Sequence, residues 1–184
     1  TILLCSACAV PAFANDYEPK MQDYLDAQIM TWAQNDVLVA AIRAQNEATT
    51  AYSQDQIDAL DQAWRAEVGL SDRPTIDPVV QNAASDFLRD IVAGADATVT
   101  EVFVMDARGL NVAASDVTSD YWQGDEPKFS QTFPKGYGAV HFGEVEFDES
   151  SQTYQGQISL SISDPANGEV VGAMTVGVNA EALF

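Results

Sequence analysis

Between Asp116 and Lys135 the chain reads DVTSDYWQGDEPKFSQTFPK. This stretch sets four aromatic rings, Tyr121, Trp122, Phe129 and Phe133, among carboxylates, with Lys128 and Lys135 as its cations. Such side chains suit recognition better than turnover. Tyr121 and Trp122 can form an aromatic wall, Lys128 can pair a ligand carboxylate, and Asp125 or Asp148 can take an ammonium. Lysine would serve as a point charge, not as the planar fork that arginine offers. His141, the sole histidine, follows on the next segment, with Tyr137 and Tyr154 as further lining. A structural reading competes: Trp122 and Phe129 would plug a sheet face, Lys128 would be a surface charge, and His141 a satisfied strand residue.

Other chemistries find less support. One histidine cannot build a histidine-rich zinc site, and both cysteines, Cys5 and Cys8, lie at the very start of the chain. No Gly-x-Ser-x-Gly elbow and no Gly-rich phosphate loop occurs. Two acidic groups, Asp116/Asp120/Asp125/Glu126 and Glu144/Glu146/Asp148/Glu149, invite a calcium reading, but neither has the alternating ligands, glycine and closing glutamate of an EF-hand loop. The sequence therefore predicts no catalytic residues, no metal and no cofactor.

Charge narrows the partners. The chain has 184 residues, 28 acidic and 8 basic, for a formal net charge of −20. Nucleic acid and anionic membrane surfaces are excluded as partners, because phosphate binding needs lysine and arginine to release counterions. Most of the acidity reads as solubility. Apolar residues make up 47% of the chain, enough for a sizeable core in one domain.

Residues 1–14 (TILLCSACAVPAFA) carry no charge and end in Ala12-Phe13-Ala14, an A-x-A cleavage pattern behind an apolar run. They are expected to be a secretory signal peptide truncated at its start, leaving a mature domain over 15–184 that is periplasmic or secreted. Anchoring as a lipoprotein through Cys8 is the lesser alternative, since Cys5 stands where a lipobox wants leucine.

The elements that must position the aromatic stretch follow in order. From Tyr17 to Asn46 apolar residues at helical spacing (Met21, Leu25, Ile29, Trp32, Val37, Ala40, Ala41) predict one long amphipathic helix. Ser53-Gln54-Asp55-Gln56 is a capping box for a second helix, with Ile57, Leu60, Trp64 and Val68 on one face and Gly69 as its stop. Asp77 and Pro78 open a third, which Gly94 ends. After Ala97 the period changes. Thr98–Asp106 and Asn111–Ser115 form a hairpin through Ala107-Arg108-Gly109. Ala139–Phe147 is expected to be a strand that mixes faces, with a bulge or kink at Gly143. Tyr154–Ser163 is expected to turn Ile158, Leu160 and Ile162 inward and Gln157, Ser159, Ser161 and Ser163 outward. Glu169–Asn179 closes the set, its glycines 172 and 177 admitting close neighbours. The result is α+β: a long N-terminal helix and further helices packed on a five-stranded antiparallel sheet.

With these pieces the chain resembles the extracytoplasmic PAS-like sensor domains called Cache or PDC domains, in their single-module form. The resemblance rests on the long helix before the sheet, the hairpin VMDARG followed by VAAS, the segment DYWQGDEPK, and the last hairpin SDP followed by GEVVGA and VGV. It spans roughly 17–184. It implies a PAS-like sheet and a small-molecule ligand such as an amino acid, carboxylate or amine. Aromatics and a cation would hold the carboxylate and an acid the amine, at Tyr121, Trp122, Asp125, Lys128, Tyr137, His141 and Asp148. It also implies dimerisation through the N-terminal helix. Receptors of this kind continue into a second membrane helix, where this sequence reads Asn179 to Phe184. The expectation is accordingly a stand-alone, non-enzymatic module that senses a metabolite or delivers it to a partner such as a membrane sensor or transporter. The alternative is a ligand-free interaction or dimerisation protein of the cell envelope.

Overall fold

The computed structural model describes residues 17–148 and 153–184. The expected leader, with Cys5 and Cys8, lies outside them. Among the described residues, one antiparallel sheet runs in the order β2-β1-β6-β5-β3, with β4 also paired to β5. The strands are β1 (Val99–Met105), β2 (Asn111–Ala114), β3 (Val140–Phe142), β4 (Glu146–Asp148), β5 (Thr153–Ser163) and β6 (Val170–Asn179). The α+β class and the antiparallel sheet are as the sequence predicts. The single strand expected over 139–147 is instead β3 and β4. Phe142 pairs with Ile158 and Glu146 with Gln155, so four steps on one side oppose three on the other. One extra residue beside Gly143 interrupts the ladder, which is what a bulge does.

The first helix is also divided. α1 (Glu18–Ala27) gives way to a 3-10 turn at Ile29–Thr31, and α2 (Asp36–Thr49) starts afresh. Asn35 causes the restart: its side-chain oxygen accepts from the Val37 N–H at 3.0 Å, capping the new helix. The break also shifts the buried stripe, so that Leu38, Val39 and Ile42 are buried while Ala40 is exposed. Together α1 and α2 cover one sheet face, where Met21, Leu25, Ile29, Leu38 and Ile42 meet Val102, Val104, Ile158, Met174 and Val176.

The capping box of α3 (Gln54–Glu67) is present in both directions, Ser53 with Gln56. Ile57 and Trp64 are buried, but Val68 falls past the helix end and is exposed, as the chain turns at Gly69 with φ +82°. The helix expected to run from Asp77 to Gly94 breaks at Asn82 into α4 (Asp77–Val80) and α5 (Ala83–Gly94). Asn82 accepts from the Ser85 N–H and donates to the carbonyls of Pro78, Val79 and Val112, tying the break to β2.

The second face of the sheet is covered too. Ser159, Ser161 and Ser163, expected to point at solvent, are buried. The crossing from Asp116 to Lys135 lies over them, carrying α6 (Pro127–Ser130) and a 3-10 turn at Phe133–Lys135 against β5 and β6. Phe129 and Phe133 stack at 5.5 Å, and Ser159 and Thr175 share a hydroxyl hydrogen bond at 3.0 Å beneath the covered layer. Small residues make room at the strand contacts. A Cβ at Gly172 would lie 2.1 Å from the Met105 carbonyl oxygen.

Polar side chains of α2 lock this layer to the turns. Arg43 pairs with Asp164 (2.7 Å) and Glu169 (3.1 Å) at the β5–β6 turn. Asn46 donates to the Val171 carbonyl and accepts from the Ala107 N–H, at 2.8 Å each. Asp106, fully buried, accepts from the N–H groups of Arg108 (2.8 Å) and Leu110 (3.0 Å) on one oxygen. Its other oxygen accepts from Thr49 Oγ1 (2.7 Å) and Gln45 Nε2 (3.2 Å). Asp106→Ala strands two backbone donors in the core, and unfolding by urea should show a loss on the order of 3 kcal/mol or more. A loss under about 1 kcal/mol, within the range of ordinary surface changes, would show that the turn holds itself.

Candidate ligand-binding site

The crossing does not close the second face completely. An open cavity of about 900 Å³ remains between α6 and the outer strands. Pairing fixes which side chains face it, because directly opposed residues share a face. Gly177 of β6 stands opposite both Glu101 of β1 and Gln157 of β5, Glu146 of β4 opposite Gln155, and His141 of β3 opposite Ser159. Glu101, Gln155, Gln157, His141 and Glu146 therefore gather on the covered side with Ser159 and Gly177, and these five line the cavity, with Glu144 entering from the bulge. Gly177 is what lets Glu101 lie flat, since a Cβ there would meet the Glu101 Cγ at 2.6 Å. The Gln157 amide nitrogen reaches Glu101 Oε1 at 3.5 Å.

α6 supplies the opposite wall through Glu126, Pro127 and Lys128. Proline at the first helical position starts this short helix. Lys128 is 16% exposed, pairs with Glu126 at 2.9 Å, and sits 5.4 Å from the Phe103 ring centroid. Its ammonium is thus held between a carboxylate and an aromatic face.

Of the residues singled out in the sequence, the structure brings Lys128 and His141 to one cavity and places the others elsewhere. Tyr121 is buried and stacked on Trp64 at 5.3 Å with an interplanar angle of 11°. Its edge lines a separate hollow of about 640 Å³ between α2, α3 and α4. Trp122 donates from Nε1 to the Arg108 carbonyl at 2.9 Å and packs so tightly over Gly124 that a Cβ there would meet its ring at 2.3 Å. The Trp122 ring pins the crossing to the β1–β2 turn, and the Tyr121 ring pins it to α3. Asp61 helps from α3, its Oδ1 accepting from the N–H groups of both Tyr121 and Trp122. Asp125 is exposed and outside the cavity lining. Tyr137, 75% exposed, borders a third hollow of about 450 Å³ beside Val140 and Met30. The Asp148 side chain lies outside the described residues.

Sequence reasoning missed Glu101, Gln155 and Gln157. The one available signal was a glutamate inside the otherwise β-branched and aromatic run TVTEVFV. Its facing partners come only with the register. Among the described residues no three His, Cys, Asp or Glu side chains converge closely enough to hold a metal ion.

No family model and no curated protein matches the chain. Solved structures do. The sensor domain of the V. cholerae histidine kinase DctB is 15% identical, over 91% of this chain and 55% of that one, with a TM-score of 0.46. The ligand-binding domain of the Campylobacter jejuni chemoreceptor Tlp3, solved with 4-methylisoleucine, is 12% identical over 91% of this chain and 61% of that one, with a TM-score of 0.41. That of the Pseudomonas aeruginosa PAO1 amino acid chemoreceptor PctC, solved with GABA, is 12% identical over 80% of this chain and 60% of that one, with a TM-score of 0.43. All three are sensor or ligand-binding domains, and the chain spans less than two thirds of each.

The buried position of Tyr121 has a measurable consequence. Burial, then the charge of Asp106 and the neighbouring Tyr52, push its phenol above the ordinary tyrosine range. The unfolded chain releases this proton near pH 10. The folded state keeps it, so the stabilisation is complete below that value and declines as pH rises above it. Between about pH 9 and 11 the urea midpoint should fall less for Tyr121→Phe than for the unaltered chain. Equal slopes would remove Tyr121 as the source.

Proposed function

We propose that the chain is an extracytoplasmic, Cache-like sensor module that holds a small metabolite in the cavity under α6 and passes its occupancy to a partner. One observation carries this reading. A sheet face otherwise sealed by the crossing is left open where polar side chains from β1, β3, β4, β5 and α6 converge. The volume lies within the range of pockets for small organic ligands. Lys128 and His141 would touch the ligand. Tyr121 and Trp122 would act at one remove, by fixing the path of the crossing that delivers Lys128.

The arrangement suits a reporter. A ligand bridging α6 to the outer strands would draw the crossing onto the sheet, and the sheet's other face carries α1 and α2. Those helices are the natural output surface, whether towards a second copy or towards a membrane sensor or transporter. No helix among the described residues is long and apolar enough to cross a membrane. Export rests on the sequence of residues 1–14.

The interaction-protein alternative draws on a different feature. Met30, Tyr137 and Val140 are exposed together at the β3 edge, an apolar patch of the sort that marks contact surfaces.

Thermal unfolding in the presence of amino acids, carboxylates and amines separates the two. A ligand at a hundred times its Kd adds about 2.7 kcal/mol, which for a domain of this size is a rise of roughly 5–10 °C. At least one compound should produce it, with Lys128→Ala and His141→Ala each reducing the shift. No stabilisation by any compound at millimolar concentration would sink the sensor reading and leave the interaction protein.

A further inference from the structure

The hollow between α2, α3 and α4 has walls without charge. Charged residues make up 20% of the chain, yet none lines this space of about 640 Å³, a volume within the range of small-molecule pockets. The walls are largely apolar: Val37 from α2, Leu60 from α3, Pro74, Pro78 and Val79 around the start of α4, and Val112 from β2. Gln45 and Asn82 also reach it, but their amide N–H groups are spent inside the fold. Gln45 donates to Asp106 and the Asn111 carbonyl, Asn82 to the carbonyls of Val79 and Val112. The hollow shares no lining residue with the cavity under α6.

One polar group in the wall is left over. Tyr121 is only 8% exposed. Its N–H is held by Asp61 and its ring is stacked on Trp64, while its hydroxyl has no hydrogen-bond partner among the described residues. The unpartnered polar side-chain atoms that are wholly enclosed belong to Asp77, Asn111, Gln123 and Ser161. The Tyr121 oxygen is not one of them, so it still touches open space, and the hollow is the space that Tyr121 lines. A hydroxyl taken this far from bulk water is costly without a partner. Burial and the nearby charge of Asp106 keep the proton on this phenol, so it stands ready as a donor. An anion in the hollow would meet no lysine, arginine or histidine, and an ammonium no carboxylate. We propose that the hollow is a second binding site, for a small, neutral, largely apolar molecule whose carbonyl oxygen accepts from the Tyr121 hydroxyl. Its occupant rests on α2 and on the crossing at once.

Four probes of one skeleton test this by ligand-observed NMR titration of the whole chain: indanone, indane, aminoindane and indane carboxylate. Indanone should bind most tightly, about five-fold ahead of indane, as expected for one neutral hydrogen bond. The two charged probes should bind more weakly than either. Tyr121→Phe removes the hydroxyl alone; it should weaken indanone about five-fold and leave indane unchanged. Ala48→Trp, at an exposed position of α2 on the rim of the hollow, should abolish binding of both by filling it. If a charged probe binds most tightly, the neutral assignment fails. If Tyr121→Phe weakens indanone and indane alike, or neither, the phenol is not the donor and the proposal falls. Undiminished binding to Ala48→Trp would put the site elsewhere, and no binding of indanone at millimolar concentration would remove it. The sensor reading of the cavity under α6 stands or falls separately, by its own panel of compounds.

Discussion

The molecule hinges on one buried carboxylate. Asp106 sits at the end of β1 with no exposure to solvent and four donors around it, two from its own turn and two from α2. Such a group is costly to bury unless every lone pair is used, and here both oxygens are. The turn that Asp106 shapes reaches further than the hairpin. Gly109 in that turn, at φ +79°, lies so close to Gly124 that a Cβ would stand 2.7 Å from its Cα, and Leu110 bridges to Trp122. The crossing is therefore threaded along the turn before it goes out over the sheet. Helix α2, the turn, the crossing and α6 form one mechanical series, and the cavity stands at its far end.

This series explains why a loop twenty residues long can act as a wall. Long connections lose conformational entropy when ordered, and this one is ordered by contacts at intervals along its length. Asn111 donates to Thr118 and to the Asp120 carbonyl, Asp61 gathers two of its N–H groups, Trp122 caps the turn, and Phe129 and Phe133 stack over the strands. Pro127 and Lys128, just before Phe129, line the cavity. A ligand that pulls on α6 would act on the end of a tethered strip, and the tether leads back through Asp106 to α2.

Much of the fold was legible, and the departures share a cause. The capping box at Ser53, the stop at Gly69, the helix end at Gly94 and the hairpin turns are short-range features, and each is found where the sequence puts it. The breaks at Asn35 and Asn82 were missed because apolar periodicity continues through them, and an asparagine in mid-pattern reads as surface until its side chain is seen capping the next turn. The serines of β5 misled for a different reason. Alternation reports which face is more apolar, and a second face can be buried under a loop when its hydroxyls pair with each other, as Ser159 and Thr175 do. Of the residues singled out in the sequence, one from the crossing and one from the strand after it line the cavity. Lys128 and His141 come to the cavity, whereas Tyr121 and Trp122 serve the crossing's own anchorage, because a ring's place in sequence says nothing of which wall it faces.

Acidity shows how register changes the meaning of composition. With 28 acidic residues, any single glutamate is most simply a solvated one. Glu101 is an exception of position. It interrupts a β-branched strand whose next three residues are fully or nearly fully buried, and the chain accommodates it by leaving glycine at 177 opposite. A threonine or valine at 101 would suit the strand better. A carboxylate kept there, half-buried beside a glycine that makes room for it, is a local conflict with the fold's own preferences. The same cannot be said of Glu144 or Glu146, which are exposed on a short edge strand and its bulge.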